Sequence, residues 1–465
     1  MLHLIHLLER RLGAQRTSHL AMRLLLATAL LLMLGLGLLL SGRAVAQEAA
    51  TVDGAAIATR ALDHLEAGEY AQVEAMFGAD MAKAVPADKL KGVWQALPAQ
   101  VGDAKGRGDA TSTRQGEAIL VQVPLHYAKA ELVAKFAIDA GGKIIGFLIQ
   151  PAQAPAAVVP TVDAAAHFSE RDFNVGEGQG ALPGTLAMPK GAGAFPAVVL
   201  VHGSGPHDRD ETIGPNKPFL DIARGLAAQG IAVLRYEKRT HARPQDFTTG
   251  AFGVDEETTF DAVLAVDALR KAEGIDPKRV FVLGHSQGGM MAPRIAAMSG
   301  HVAGLVLMAA PARPLLDIVI EQNRRLAVLD DARTSDAERD AIVALIEQVR
   351  IARDPATDLA SKSLLGLPVG YWRSIDPVDA VADAKSVALP MLVLQGARDI
   401  QVVDADWQRW RDAFHADKRV AFKLYEKLNH LGIAGEGDGN LAEYGTPGHV
   451  DATLIDDVAH WIKAR

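Results

Sequence analysis

The sequence predicts an α/β protein: a doubly wound, mostly parallel sheet with a helical insertion, preceded by a small α+β domain. Three observations predict it. From about residue 164 onward, short apolar runs alternate with helix-patterned segments, which is how a parallel sheet covered on both faces reads. Before that point a helical pattern gives way to strands of period two. Finally, Val280-Phe-Val-Leu-Gly-His-Ser286-Gln-Gly-Gly289 reads as strand, sharp turn and helix, with a serine at the apex.

The chain has 465 residues, enough for two folded domains after any leader is removed. Residues 24–40 are an almost unbroken apolar run, preceded by Arg23 and followed by Ser41-Gly-Arg-Ala44-Val-Ala46. A positive segment, an apolar segment and an A-x-A site describe a secretory signal, so residues 1–46 are expected to be removed after Ala46, giving a secreted or periplasmic protein. The run is at the short end for a bilayer span, and an uncleaved anchor is the alternative. Met22 stands directly before Arg23 and offers a second start to Met1. No stable membrane insertion is expected once the signal is cut.

Formal net charge is −8, and residues 1–46 hold one acid (Glu9) against five bases (Arg10, Arg11, Arg16, Arg23, Arg43), so the remainder is more acidic still. No basic stripe is present, which argues against nucleic acid as a partner. There is no cysteine. That excludes disulfides, thiolate metal sites and a thiol nucleophile.

Residues 47–150 form the expected α+β domain. Ile57, Ala61, Leu65, Val73, Met76 and Phe77 recur at helical spacing over residues 55–100, punctuated by Gly68 and Pro86. Residues 102–109 are Gly/Asp-rich, and after them the period changes to two. Residues 118–125 and 130–138 alternate as strands, and Gly141-Gly142 makes a hairpin turn into 143–149. The stretch "LEAGEYAQVEAMF…LKGVWQAL" followed by strands resembles a small domain of unknown function found before some secreted hydrolases. That resemblance implies a cone-shaped fold like nuclear transport factor 2; such cones enclose a pocket, so binding is one role for it, while fold alone favours an accessory domain without chemistry of its own. Residues 151–163, rich in Ala and Pro, read as a linker.

Within residues 164–465, strands are expected at 197–201, 231–235, 280–283, 304–308, 391–394 and 421–425. Helices are expected at 218–229, 256–273 and 451–463. Residues 314–388 interrupt the alternation with helical pattern, where a lid over a site at the strand ends would sit.

Gly284 and Gly288 let neighbouring backbone pass close to the turn at Ser286, and such a turn aims the first helix N–H groups at a developing oxyanion. Acyl transfer by serine also needs a base, an acid to orient the base, and a second donor. All must lie at the carboxyl ends of strands. Asp399 lies just past the strand 391–394, with Asp404 and Asp406 as alternatives nearer a helix start. Of fifteen histidines, His430 follows the last strand. His415 precedes that strand, His449 caps the final helix and His460 lies inside it. Val201-His202-Gly203-Ser204-Gly205 is a Gly-rich turn after the first strand, so the oxyanion hole is assigned to the N–H groups of Ser204 and Gln287. The side chains of His202 and Ser204 read as structural, and His285 as packed or locally hydrogen-bonded. His202, His207, Asp208 and Asp210 could cluster about a metal, but the oxyanion loop explains them better. No metal and no cofactor is expected.

The order Ser286, Asp399, His430 is that of the α/β-hydrolases. The segments "VVLVHGSGPHDRDE", "VLRYEKR", "VLGHSQGGMMAP", "PMLVLQGARDIQV" and "LNHL" resemble those of α/β-hydrolases of the secreted bacterial esterase type, related to the serine aminopeptidase and dienelactone hydrolase groups. The resemblance covers residues 165–465. It implies Ser286 as nucleophile, Asp399 as acid and His430 as base; Glu237 stands where the family more often has Asp. The leading expectation is a cofactor-free serine hydrolase of carboxylic esters, thioesters and lyso-lipids falling in the same chemistry. Two alternatives stand beside it: an aminopeptidase-like peptidase, and a non-catalytic envelope binding protein.

Overall fold

The computed structural model describes residues 52–115, 118–128, 130–151, 162, 165–247, 252–328 and 336–465. The expected leader, residues 1–46, and nearly all of the linker 151–163 lie outside the described residues. No helix among the described residues is long and apolar enough to cross a membrane. The chain divides into two compact units, one containing residues 52–151 and the other residues 165–465.

The first unit begins with helices α1 (Gly54–Glu66), α2 (Tyr70–Met76), α3 (Ala79–Ala84) and α4 (Ala87–Val101). Asp53 caps α1 by accepting from the Ala56 N–H, and Ala58, Ala61, Leu62 and Leu65 line its buried stripe. Strands β1 (Ala104–Arg107), β2 (Thr111–Gln115), β3 (Ala118–Tyr127), β4 (Glu131–Ile138) and β5 (Ile144–Pro151) follow. They pair antiparallel in the order β1-β3-β4-β5, with β2 also on β3. The Gly/Asp-rich stretch thus contains β1, and β2 is additional. Ala-Lys-Gly-Arg of β1 and Thr-Ser-Thr-Arg of β2 bury almost nothing, so no apolar alternation betrays them. Pairing with β3 alone makes them strands.

The second unit is built on an eight-stranded sheet in the order β15-β14-β11-β10-β8-β9-β7-β6. Its strands are β6 (Phe168–Asp172), β7 (Gly184–Pro189), β8 (Phe195–Val201), β9 (Ala232–Tyr236), β10 (Ile275–His285), β11 (Leu305–Met308), β14 (Met391–Gly396) and β15 (Val420–Tyr425). All pairs from β15 to β9 are parallel, and β7 and β6 close the edge antiparallel. The edge strand β6 carries little apolar pattern: it reads Phe-Ser-Glu-Arg-Asp, and its Glu170 pairs with Arg224 and Arg235.

Helices α5 (Pro218–Ala228), α6 (Arg239–Ala242), α7 (Phe260–Arg270), α8 (Gln287–Ser299), α13 (Asp404–Phe414) and α14 (Ala452–Lys463) accompany these strands. Consecutive strand residues feed opposite cores. Val199, Val201, Val280 and Val282 join the cluster under α7 and α8. Val198, Leu200, Phe281 and Leu283 join the one under α5 and α14. With both faces covered, every position is apolar, which is why these strands read as unbroken runs.

The expected helix over 256–273 is a π-helical turn, Asp255–Thr259, running into α7. The wide turn buries Glu257, Thr258 and Thr259 toward the strand ends. Between β11 and β14 stand α9 (Leu315–Leu326), α10 (Asp336–Arg353), the short hairpin β12 (Lys362–Leu364) and β13 (Leu367–Pro368), α11 (Val369–Ile375) and α12 (Ala380–Val387). Tyr371, Trp372 and Ile375 of α11, and Val381 and Ala384 of α12, pack into the same core as β10 and α8.

Candidate active site

Four loops leave the carboxyl ends of β8, β10, β14 and β15, and the register aligns those ends: Gly284 pairs with Val201, and Met308 with both His285 and Leu394. The turn after β10 places Ser286 at φ 51° and ψ −121°, a left-handed conformation costly for a residue with a Cβ. Two backbone bonds hold it there. The Ser286 N–H donates to Met308 O at 2.9 Å, and Ser286 O accepts from Met290 N at 3.0 Å. Among residues 281–290 only Ser286 is not buried.

The flanking glycines are required by contact. A Cβ on Gly288 would overlap the carbonyl oxygen of Val201 and lie 2.6 Å from that of His202; one on Gly284 would overlap the backbone of Gly288. Backbone atoms cannot swing aside. Gly288→Ala is therefore expected to destabilise this unit by at least about 3 kcal/mol, the upper range for overpacking. Thermal unfolding would check this, and an unchanged midpoint would count against the packing argument.

The loop after β14 carries Asp399, and the loop after β15 carries His430, both buried. His430 Nδ1 and Asp399 Oδ2 are hydrogen-bonded at 2.7 Å. Asp399 Oδ1 accepts from the N–H groups of Gln401 (2.8 Å) and Val402 (3.0 Å), and Gln395 Nε2 donates to Oδ2 at 3.2 Å. The carboxylate is thus fixed from several sides. The His430 ring lies beside that of His285, centroids 4.8 Å apart, next to the turn at Ser286. Among the described residues no hydrogen bond joins the Ser286 hydroxyl to His430; such bonds commonly tighten only with substrate bound.

The neighbouring carboxylates do other work. Asp406 accepts from the N–H groups of Ala312 (2.9 Å) and Arg313 (3.1 Å), and Asp404 accepts from Gln408 on the surface. His415 bonds to Asp412 O, and His460 lies exposed in α14. The cap of α14 is Asp451 rather than His449; the exposed His449 pairs instead with Asp221 at 3.1 Å. An aspartate accepts the helix's free N–H groups directly, which a histidine two residues earlier cannot do as well.

On the loop after β8, the Gly203 N–H donates to Glu211 Oε1 at 2.6 Å, leaving that of Ser204 next along the chain. The His202 ring lies tilted against Phe219 and edge-on to Tyr236, and it bonds to Asp208 O at 3.0 Å. Burial, with smaller contributions from His207 and Lys238, drives its pKa down to about 3 against the pull of Glu211, so it is neutral. His207 bonds to Ser204 O at 2.7 Å. Asp208 accepts from Thr212, and Asp210 pairs with Lys217 and Arg235. No group of three or more metal-ligating side chains occurs among the described residues.

Four buried residues here, Glu211, Lys238, Glu257 and Tyr371, escape a sequence reading, and the partners of His285 lie far along the chain rather than locally. Glu211, itself at φ 52°, places Oε2 2.9 Å from His285 Nδ1, and His285 Nε2 lies 3.0 Å from His430 O. Burial alone would lower the pKa of His285, but Glu211, the His430 carbonyl and the charge of Asp399 raise it. Burial opposes ionisation of Glu211 as well, and His285, with His207 and His202, outweighs it and brings its pKa down. Both favour an imidazolium–carboxylate pair. Lys238 Nζ donates to Gly203 O at 2.8 Å and pairs with Glu257 Oε1 at 2.9 Å. Glu257 Oε2 accepts from Gln287 Nε2 and from Tyr371 Oη, both at 2.8 Å. Nothing local in "HDRDE" or "RYEKR" says that Glu211 and Lys238 converge on Gly203. Glu237, noted in the sequence as a substitution, pairs with Arg209 at 2.7 Å.

Residues 198–436 match the alpha/beta hydrolase family, and residues 58–147 match a family described only as a protein of unknown function, DUF3887. Esterase EstD of Thermotoga maritima is 36% identical over 401 residues, which is 86% of this chain and 93% of that protein. An alignment that long does not fit within residues 165–465 and so includes part of the N-terminal unit. Among solved structures, Est1E from Butyrivibrio proteoclasticus with ferulic acid is 16% identical, covering 63% of this chain and 100% of that one, TM-score 0.42. The Pyrococcus furiosus esterase Pf2001 is 15% identical, covering 67% and 96%, TM-score 0.42. With one family matched over more than half of its residues and a relative aligned along most of its length, the chain belongs to the alpha/beta hydrolase family.

Proposed function

We propose that this protein hydrolyses carboxylic esters through an acyl-enzyme on Ser286. The observation that carries the reading is the turn itself: a serine held at φ 51°, not buried among buried neighbours, beside the His430–Asp399 pair. His430 Nε2 takes the hydroxyl proton as Ser286 Oγ attacks the acyl carbon. The oxyanion is met by the N–H groups of Ser204 and Gln287, the second at the positive end of α8. Collapse breaks the ester C–O bond, and the leaving alcohol carries away the proton from His430. Water then repeats the sequence and releases the acid. Asp399 holds His430 in the tautomer that exposes Nε2 and stabilises the imidazolium. The esterase named among its relatives supports this choice of substrate class.

Residues 24–46 support export, with action in the periplasm or outside the cell after cleavage at Ala46. The test is the intact mass of the purified chain before and after a fluorophosphonate probe, with a p-nitrophenyl acyl ester assay alongside. One adduct, mapped to Ser286, together with ester turnover is the expected result. No adduct and no turnover would remove the reading.

A further inference from the structure

We infer that Lys238 is a positioning residue for the oxyanion hole: its ammonium grips the Gly203 carbonyl and so aims the N–H of Ser204, on the same peptide, at the acyl oxygen. The inference rests on the acyl-enzyme reading above and names what holds one of its donors in place.

A peptide unit is planar and trans, so the C=O of one residue and the N–H of the next point in opposite directions. Fixing the oxygen of Gly203 therefore fixes the direction of the Ser204 N–H. Lys238 Nζ fixes it at 2.8 Å, through a charge-assisted bond. The preceding peptide is held as firmly, since the Gly203 N–H donates to Glu211 Oε1 at 2.6 Å. Both peptides flanking Gly203 are thus clamped, one by a cation and one by an anion. Gly203 lies against the nucleophile: a Cβ there would be 3.2 Å from both Ser286 Cβ and Glu211 Oε1.

The cation is kept by a partner with a second task. Glu257, from the π-helical turn, gives Oε1 to Lys238 and Oε2 to the side chain of Gln287, whose backbone N–H is the other assigned donor. The same oxygen accepts from Tyr371 of α11 in the insertion. One carboxylate thereby ties Gln287, which carries one donor, to the cation that holds the peptide of the other. The side chains of Lys238 and Glu257 are only 3% and 6% exposed. Burying such a pair gains little stability over an apolar pair of similar volume, so stability alone gives a weak reason for it. A preorganised dipole at the reacting atom is a stronger one.

The test uses the full chain with Lys238→Met, which keeps the aliphatic stem and removes the charged donor. Four quantities are read: kcat per serine titrated with fluorophosphonate, KM, the inhibition constant of a trifluoromethyl ketone, and the thermal midpoint. The ketone forms a tetrahedral oxyanion on serine and so reports on the hole. We expect kcat per titrated site to fall about 10²-fold, as for loss of one oxyanion donor. KM should change little, and the ketone should weaken in step with kcat/KM.

Should Lys238→Met not fold, Tyr371→Phe carries the question. It leaves the ion pair whole and loosens Glu257, and a smaller fall with the same parallel between kcat/KM and ketone affinity is expected. Loss confined to the number of titratable sites, to the thermal midpoint or to KM, with ketone affinity unchanged, would overturn the inference and leave a purely structural ion pair. A wild-type chain that neither labels nor turns over ester would instead remove the acyl-enzyme reading, so the two failures are distinct.

Discussion

Ser286→Ala is expected to lower ester turnover roughly 10⁶-fold while the chain stays folded, the scale reached when a catalytic nucleophile acting as a unit with its base is removed. Folding should survive because the substitution deletes one oxygen from a side chain that is not buried and makes no hydrogen bond with His430 among the described residues. Its left-handed φ is as costly for alanine as for serine, and the two backbone bonds that hold the turn are untouched. Residual turnover should remain above that in water, since the donors and the binding surface persist. The measurement is steady-state hydrolysis of a p-nitrophenyl ester, with the fluorophosphonate adduct scored in parallel. Turnover within tenfold of wild type would place the chemistry on another group.

Asp399→Asn should lower kcat about 10⁴-fold, with little change in thermal midpoint. The geometry explains both halves. Asparagine can keep the Oδ1 position that accepts from Gln401 and Val402, so the loop after β14 remains tied. Its amide would then face His430 Nδ1 as a donor where a carboxylate accepted at 2.7 Å. The ring would be driven to the tautomer with its proton on Nε2, unable to take one from serine. Asp406 offers no rescue, because it is buried beneath the N–H groups of Ala312 and Arg313. A variant retaining most of its kcat would show that another carboxylate orients His430. Loss of folding instead of rate would show that Asp399 serves mainly as a loop tie.

How much of this is legible in the sequence depends on how far apart the cooperating residues lie. The turn at Ser286 is local: the apolar run of β10, the glycines at 284 and 288 and the helical segment after them all lie within a few residues. Asp399 and His430 follow from a rule about strand ends, since a parallel sheet gathers its loops on one edge. The edge strand β6, and β1 and β2 in the first unit, carry no such signature. Edge strands have only one neighbour and often turn toward water, so their apolar alternation is weak and pairing decides them.

What the sequence determines by itself, then, is the periodicity of each segment and the order in which the chemical groups appear. Those are properties of neighbours along the chain. Which charges are buried is decided by the tertiary structure alone. Glu211, Lys238, Glu257, His285 and Tyr371 come from five separate segments and meet around the loop after β8 and the turn after β10. In water each would be a solvated polar side chain. Only when the sheet brings four loops together and excludes solvent does each need a partner, and the fold supplies all of them at one place.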